Sequence, residues 1–92
     1  MSKKRERLEI IYDILRAIRD KGKDAKPTHI LYKSNLSHDM LKDYLKELLD
    51  KDFITEETDK KNRTRYNLKE KGFNYLKEYA VIKSFTESYG LG

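Results

Sequence analysis

Positively charged side chains are concentrated in two short stretches of this sequence. Residues 60–71 contain six lysines and arginines against one carboxylate, and residues 3–7 contain four against one. The whole chain carries a net charge of +5, so the remaining residues hold slightly more carboxylates than cations. Segregated positive charge is typical of a face that binds a polyanion, whereas the alternative is a charged loop that is simply solvated.

Length and composition exclude several classes of function. The 92 residues suffice for one compact domain, and seven Tyr and three Phe, spread along the chain, can form a small core. The absence of cysteine excludes disulfides, thiolate zinc sites and cysteine nucleophiles. The two histidines, His29 and His38, lack the spacing to further ligands that metal sites use. We therefore expect neither a cofactor nor catalysis, and no apolar run is long enough to span a membrane.

The spacing of apolar residues predicts a first helix that positions the basic N-terminal stretch. From Leu8 to Ile18, apolar residues recur at intervals of three and four, which is typical of an amphipathic helix. Gly22 follows as a suitable C-cap, because glycine adopts the left-handed conformation without a Cβ clash. We expect this helix to end near Lys21.

Two further helices with a tight turn between them are predicted next. Pro27 favours the first turn of a short helix, which Asn35 and Leu36 interrupt. Ser37 is a typical N-cap for a third helix, whose periodic leucines continue to about Asp50. Two helices joined by a turn of three or four residues form a helix-turn-helix.

After the third helix the period shortens, which predicts a β-hairpin. Residues 53–57 and 64–68 are rich in β-branched and aromatic side chains, and the segment between them is polar and basic. We expect Tyr66 and Leu68 to face the core with Ile54 opposite them, and Arg65 to point away from it. At the tip, we expect Asn62 to supply a left-handed backbone or a hydrogen bond. A final helix begins near residue 70.

An ordered set of residues accompanies these elements: Ile30 to Ser37, Leu41, Tyr44, Leu45, Leu48, Leu49, Phe53, Ile54, Tyr66, Leu68, Lys71 and Gly72. With this set, the chain resembles the archaeal winged helix-turn-helix DNA-binding proteins, which include small predicted transcriptional regulators and dimeric chromatin-type proteins. The resemblance runs from about Glu9 to Tyr79. It departs where members commonly have Gly in place of Asp52 and Thr in place of Lys69. The expected fold is α+β, mainly helical, with a hairpin wing and a long C-terminal helix.

The resemblance implies double-stranded DNA as the partner and a sequence-preferring transcriptional regulator as the function. In a winged helix, the recognition helix, here about 37–50, enters the major groove, and the wing, here 58–65, reaches phosphates or the minor groove. The candidate DNA-binding residues are Lys33, Ser37, His38, Lys42, Lys46, Lys60, Lys61, Asn62, Arg63 and Arg65. A weaker candidate is a basic N-terminal arm formed by Lys3, Lys4, Arg5 and Arg7.

Three alternatives stay open at this point. The protein can be a chromatin-type component that binds DNA with low specificity. It can also be a winged helix that contacts another protein, an alternative that Asp39 and Asp43 favour and the basic wing does not. Double-stranded RNA fits less well, because the A-form major groove does not admit a recognition helix. No small-molecule ligand is evident from the sequence.

The last helix, predicted to run to about Ser88, carries two apolar stripes. We expect Phe73, Leu76 and Ala80 to face the domain's own core. A second, roughly heptad-like stripe offers a surface on which two copies can pair as a homodimer. It consists of Tyr75, Tyr79, Ile82, Phe85 and Tyr89. The alternative is a monomer in which the helix end folds back on the first helix.

These expectations divide the chain into two parts. Residues 1–72 form the winged-helix DNA-binding domain, and residues 73–92 form the C-terminal helix that completes the core and mediates dimerisation. We expect a cytoplasmic, nucleoid-associated protein.

Overall fold

The computed structural model of the chain describes residues 6–91. Four α-helices and one β-hairpin follow one another in the order that the sequence predicts, which confirms the winged-helix prediction. Their bounds are α1 Arg7–Lys21, α2 Pro27–Ser34, α3 His38–Asp50, β1 Ile54–Thr58, β2 Thr64–Leu68 and α4 Glu70–Ser88, with a short 3-10 turn at Gly22–Asp24.

The three N-terminal helices begin and end where their capping residues predict. Gly22, with φ of 62°, follows the last residue of α1, and Asn35, with φ of 53°, follows the last residue of α2. Pro27 occupies the first turn of α2. The Ser37 hydroxyl accepts a hydrogen bond of 3.2 Å from the backbone N–H of Met40, so it caps α3 as expected. The tight turn between α2 and α3 produces the helix-turn-helix.

The wing is an antiparallel hairpin attached to the helices by its second strand. Ile54 lies opposite Leu68, and Tyr66 lies opposite Glu56. Ile54 and Tyr66 are buried, as predicted. The backbone N–H of Tyr66 also donates a hydrogen bond of 2.9 Å to the carbonyl of Ala25, between α1 and α2. This bond fixes the base of the wing relative to the helices.

The two positions that depart from the family pattern contact each other. Asp52 adopts the left-handed conformation with φ of 64°, and Lys69 precedes α4 without a side-chain cap. The Lys69 ammonium lies 3.4 Å from a carboxylate oxygen of Asp52. Both side chains are exposed, so the pair contributes little to stability, but it spans the junction between α3 and α4.

One core unites all the elements, and it corrects one prediction about α4. The most deeply buried side chains are Ile14, Leu15, Ile18, Ile30, Ser34, Leu48 and Ile54. From α4, Leu76 is buried, but Phe73 is 51% exposed and Ala80 is exposed as well. The prediction that these last two face the core is wrong, because a tight contact at Gly72 sets the rotation of α4. A Cβ at Gly72 would lie 2.5 Å from the carbonyl oxygen of Phe53.

With Gly72 against the wing base, the positions four and seven residues further along α4 face the core and α1. These positions are Leu76 and Tyr79. Phe73 directly follows Gly72, and Ala80 directly follows Tyr79. A step of one residue turns a side chain about 100° around the helix axis. Their side chains therefore point to solvent.

Candidate nucleic-acid interface

The exposed side of α3 presents a row of basic side chains. His38, Lys42 and Lys46 follow one another at intervals of four residues, so they lie on one face of the helix, and all three are exposed. Within residues 6–91, no ion pair involves Lys42 or Lys46. Both ammonium groups are thus available to an anionic partner.

Carboxylates on the same helix balance this row. Asp39 and Asp43 are also exposed and each adjoins a member of the basic row. Considered alone, the exposed face of α3 has nearly equal numbers of cations and carboxylates. An attraction for a polyanion must therefore come largely from elsewhere on the same side of the protein.

The wing tip supplies that charge in an ordered conformation. The Asp59 carboxylate accepts hydrogen bonds from the backbone N–H of Lys61 at 2.9 Å and from the backbone N–H of Arg63 at 3.0 Å. It also accepts one from the Arg63 guanidinium at 2.8 Å. Asn62 adopts the left-handed conformation with φ of 63°, as predicted. Backbone bonds between residues 59, 62 and 63 close the turn.

Asp59 orders the wing tip, a role that the charge pattern of the sequence does not indicate. Hydrogen bonds from the backbone and side chain of Arg63 hold the pKa of the Asp59 carboxyl below its usual range. The signal was present, since an aspartate just before a polar loop commonly bonds to backbone N–H groups two to four residues later. The net charge of the stretch that follows does not reveal this bonding pattern.

Asp59 divides the four cations of the wing into two groups. Arg63 is paired with this carboxylate, and Arg65 lies 3.9 Å from both Asp59 and Asp24. Lys60 and Lys61 are exposed, and the described part of the chain offers them no ion-pair partner. The wing therefore presents two unpaired lysines and two arginines whose charges are partly neutralised.

A groove runs between α2, α3 and the wing. Its volume is about 670 Å³, and its lining brings Lys42 and Lys46 of α3 together with Glu56 and Tyr66 of the hairpin. The other lining residues are Pro27, Thr28, Leu31, His38, Leu41, Asp43, Leu45 and Leu49. The row on α3 and the strands of the hairpin thus border the same groove.

Lys33 lies away from this groove. It lines a separate polar cleft between α1 and α2, together with Asp13, Arg16 and His29. Desolvation, reinforced by the nearby positive charges of Lys21 and Lys33, lowers the pKa of His29. The structure therefore does not bring Lys33 together with the other predicted DNA-binding residues.

The N-terminal basic stretch is only partly described. Lys3, Lys4 and Arg5, three of the four predicted arm residues, lie outside the described residues. Arg7 is the first residue of α1, and its guanidinium is paired with the carboxylate of Glu47 on α3. Arg7 also lies 5.7 Å from the centre of the Tyr44 ring, so it ties α1 to α3 and is not free to extend.

The residues predicted to mediate dimerisation fall into two groups. Tyr75 and Tyr79 are half-buried within their own chain. The Tyr75 hydroxyl donates a hydrogen bond of 2.6 Å to the Leu8 carbonyl. The centre of the Tyr79 ring lies 4.8 Å from the centre of the Tyr12 ring. The middle of α4 therefore packs on α1. The monomer alternative places the end of the helix, not its middle, against α1. Beyond that contact, Ile82, Phe85 and Tyr89 are 58%, 60% and 68% exposed, and the neighbouring Val81 is exposed too.

Residues 6–91 contain neither a metal-binding cluster nor a membrane-spanning helix. No group of three histidine, aspartate or glutamate side chains in this part of the chain is placed to hold a metal ion. None of the helices described here is both long enough and apolar enough to cross a membrane.

A helix-turn-helix followed by a hairpin with an ordered basic tip defines a winged helix-turn-helix protein. The winged helix-turn-helix family model matches residues 4–87. The chain belongs to this family. Its fold is that of DNA-binding regulators that are typically not enzymes.

Similar proteins come from archaea and bacteria. The chain is 42% identical over 53 residues to the uncharacterized protein MJ0290 of Methanocaldococcus jannaschii, a match that covers 58% of this chain and 24% of that protein. This chain thus spans about a quarter of that relative's length. The archaeal relative confirms the resemblance to archaeal winged-helix proteins.

Solved structures share the fold. Sso10a-2, a DNA-binding protein from Sulfolobus solfataricus, superposes with a TM-score of 0.75 at 24% identity, over 92% of this chain and 88% of that one. MepR, a transcription regulator of a multidrug efflux pump in Staphylococcus aureus, superposes with a TM-score of 0.74 at 15% identity, over 87% and 60% of the two chains. At these identities the likeness establishes the fold.

Proposed function

We propose that the protein binds double-stranded DNA and acts as a sequence-preferring transcriptional regulator. The observation that carries the proposal is that four lysines have no ion-pair partner in the described part of the chain. They are Lys42 and Lys46 on α3 and Lys60 and Lys61 on the wing. All four are exposed. Ammonium groups without an ion-pair partner release counterions from a phosphate backbone most effectively, because no internal ion pair has to break when they contact a phosphate.

Each element has a distinct role in this proposal. The first turn of α3, with Ser37 and His38, approaches base edges in the major groove, and Lys42 and Lys46 contact guanine or the phosphates along it. The wing tip places Lys60 and Lys61 on flanking phosphates or in the minor groove. Arg63 and Arg65 reach the same region, with Asp59 holding the tip in shape. The proposal needs no cofactor and no catalytic residue.

Asp39 and Asp43 support selectivity. Carboxylates beside a phosphate backbone weaken binding to any duplex, so the net attraction depends on the base contacts that the neighbouring residues make. A carboxylate can also accept a hydrogen bond from the amino group of cytosine. These two residues therefore favour a regulator over an indiscriminate binder.

Two similar structures bear on this proposal. A variant of MepR is described as bound to an oligodeoxyribonucleotide, and its TM-score against this chain is 0.73 at 16% identity. Sso10a-2 is described as a DNA-binding protein. A DNA-binding chromatin component of low specificity is the second candidate function, because phosphate contacts by Lys60 and Lys61 would carry no sequence information.

We further propose a homodimer formed through the C-terminal part of the chain, residues 73–92. Ile82 and Phe85 on the last turns of α4, and Tyr89 directly after the helix, recur at intervals of three and four beyond the region that α1 covers. An isologous pairing covers this stripe on both copies and presents two α3 helices to two half-sites. Such an assembly suits a nucleoid-associated protein in the cytoplasm.

DNA binding is tested by fluorescence anisotropy with a duplex from upstream of the protein's own gene and a scrambled duplex of equal length. A regulator prefers the upstream duplex by tenfold or more, a chromatin component binds both equally, and binding to neither at low salt overturns the proposal. If the protein binds neither duplex, the alternative that its winged helix contacts another protein is the one to test.

Dimerisation is tested by sedimentation equilibrium over a range of protein concentrations. Phe85→Gln should shift the protein towards monomer. Phe73→Gln is the matched control, since it removes an exposed phenylalanine from a different face of the same helix. A wild-type protein that stays monomeric at high concentration, or equal effects of the two substitutions, would contradict the proposed interface.

A further inference from the structure

The groove between α2, α3 and the wing has an apolar floor. Leu31 of α2 and Leu41, Leu45 and Leu49 of α3 contribute aliphatic side chains to it, and Pro27 extends it at one end. Leu31 and Leu49 are only partly buried, so part of this apolar surface faces the groove. A volume of about 670 Å³ lies within the range of about 300–1,000 Å³ found for small-molecule sites.

The rim of the groove carries basic groups that lack an internal partner. His38, Lys42 and Lys46 line one side as the row described above. The carboxylates on the lining are those of Asp43 and Glu56, and Glu56 accepts a hydrogen bond of 2.8 Å from the Tyr66 hydroxyl. Glu56 is thus already engaged across the hairpin, and Asp43 is the remaining carboxylate of the groove lining.

An apolar floor beside two unpaired ammonium groups is complementary to one kind of small molecule. We propose that the groove binds a small organic carboxylate with a flat apolar body, whose carboxylate lies between Lys42 and Lys46 and whose body packs on Leu31 and Leu49. A charge-assisted contact fixes the orientation, and burial of the apolar body supplies the remaining affinity. Neither a neutral aromatic molecule nor a simple inorganic anion uses both features.

A ligand in this position has a consequence for DNA binding. It neutralises Lys42 and Lys46 and covers the face of α3 that borders the wing. Bound carboxylate and bound duplex therefore exclude each other, and the protein gains an effector site within its single domain. This consequence rests on the proposed function, whereas binding of the carboxylate itself does not.

The test of binding uses the full chain without DNA. 2-Naphthoate is titrated into ¹⁵N-labelled protein, with 2-naphthylmethanol as the uncharged control of the same shape. We expect amide shifts confined to the groove lining, about tenfold weaker binding of the alcohol, and about tenfold weaker naphthoate binding by Lys42→Gln/Lys46→Gln. Lys77→Gln, a charge removed from α4, should leave the affinity unchanged.

A second variant separates loss of charge from loss of space. Thr28 is exposed and lines the groove, so Thr28→Trp fills the groove without altering the core. It should abolish the naphthoate shifts while the rest of the spectrum stays folded. Absence of naphthoate binding to wild type, equal binding of the alcohol, or scattered shifts overturns the inference.

Competition with DNA separates this inference from the proposed function. Naphthoate that binds the groove and releases a bound duplex supports the effector site. Naphthoate that binds the groove of a protein to which no duplex binds overturns the proposed function and leaves the binding site standing. If the protein binds the duplex but not naphthoate, the effector site alone is overturned. The same holds if the duplex stays bound to protein that is saturated with naphthoate.

Discussion

Removing the two unpaired lysines of the wing should change how DNA affinity depends on salt. In Lys60→Gln/Lys61→Gln the tip keeps the hydrogen bonds of Asp59, because these come from the backbone and from Arg63. The substitution thus removes charge without removing the ordered turn. Each lost phosphate contact lowers the slope of log affinity against log salt concentration by about 0.9 for duplex DNA.

The expected change in slope is therefore about 1.8 for each bound protomer. When the salt concentration rises fourfold, wild type should lose about twelvefold more affinity than the double variant for each bound protomer. The assay is a fluorescence-anisotropy titration of one duplex at four or five salt concentrations. Circular dichroism at each concentration establishes that both proteins stay folded.

The matched control removes equal charge from elsewhere. Lys77→Gln/Lys83→Gln lies on α4, outside the proposed interface, and lowers the net charge by the same amount. The control should leave the slope within experimental error of wild type. The reasoning is refuted if the wing variant keeps the wild-type slope, or if the two variants change it equally.

Three further predictions concern the elements that hold the interface in place. Because the folded-state pKa of Asp59 is depressed, its contribution to the stability of the wing tip is present above the ordinary carboxyl pKa and is lost as pH falls through the depressed pKa. An NMR titration of the Arg63 amide should therefore show a midpoint below that of an ordinary aspartate. A midpoint above that of an ordinary aspartate would contradict this prediction. Gly72→Ala should destabilise the protein by about 1–3 kcal/mol in urea unfolding, because the added Cβ meets the Phe53 carbonyl oxygen, and an unchanged midpoint would show that α4 shifts freely. Ser37→Ala should cost about 1 kcal/mol in the same assay through loss of the α3 cap, and no loss would mean that the cap is replaced by water.

Local signals in the sequence predicted most of the fold. Gly22, Asn35 and Ser37 mark helix boundaries through backbone conformation and capping, which depend on a few neighbouring residues. The shortened period after α3 predicted the hairpin, although β1 runs from Ile54 to Thr58, one residue later than expected at each end. Helix boundaries and strand pairing at this level follow from short-range physics.

The orientation of α4 could not be predicted in this way. Its apolar residues lie on several faces, so periodicity alone does not select the face that packs inward. The selection comes from one close contact, Gly72 beneath the Phe53 carbonyl, between residues separated in the sequence. That contact turns Leu76 inward and Phe73 outward, and it brings Tyr79 onto α1.

The sequence indicated α3 and the wing as the elements of the candidate interface, but Lys33 lies in a separate cleft and the ion pairs of the wing were not predicted. Counting charges treated the four wing cations as equivalent, whereas Asp59 engages Arg63 and leaves Lys60 and Lys61 unpaired. Similarly, Arg7 belonged to a basic stretch in the sequence and is paired with Glu47, forty residues away. Such pairings depend on the tertiary structure, which a count along the chain does not contain.

The central claim is that α3 and the wing together form the surface that binds duplex DNA. The most direct test is a two-dimensional ¹H–¹⁵N NMR spectrum of the full chain, recorded with increasing amounts of a short duplex. The account predicts that the largest shifts fall in 37–46 and 59–65, with residues of the α1–α2 cleft little affected. Shifts concentrated in that cleft or on the exposed face of α4, or no shifts at low salt, would contradict it.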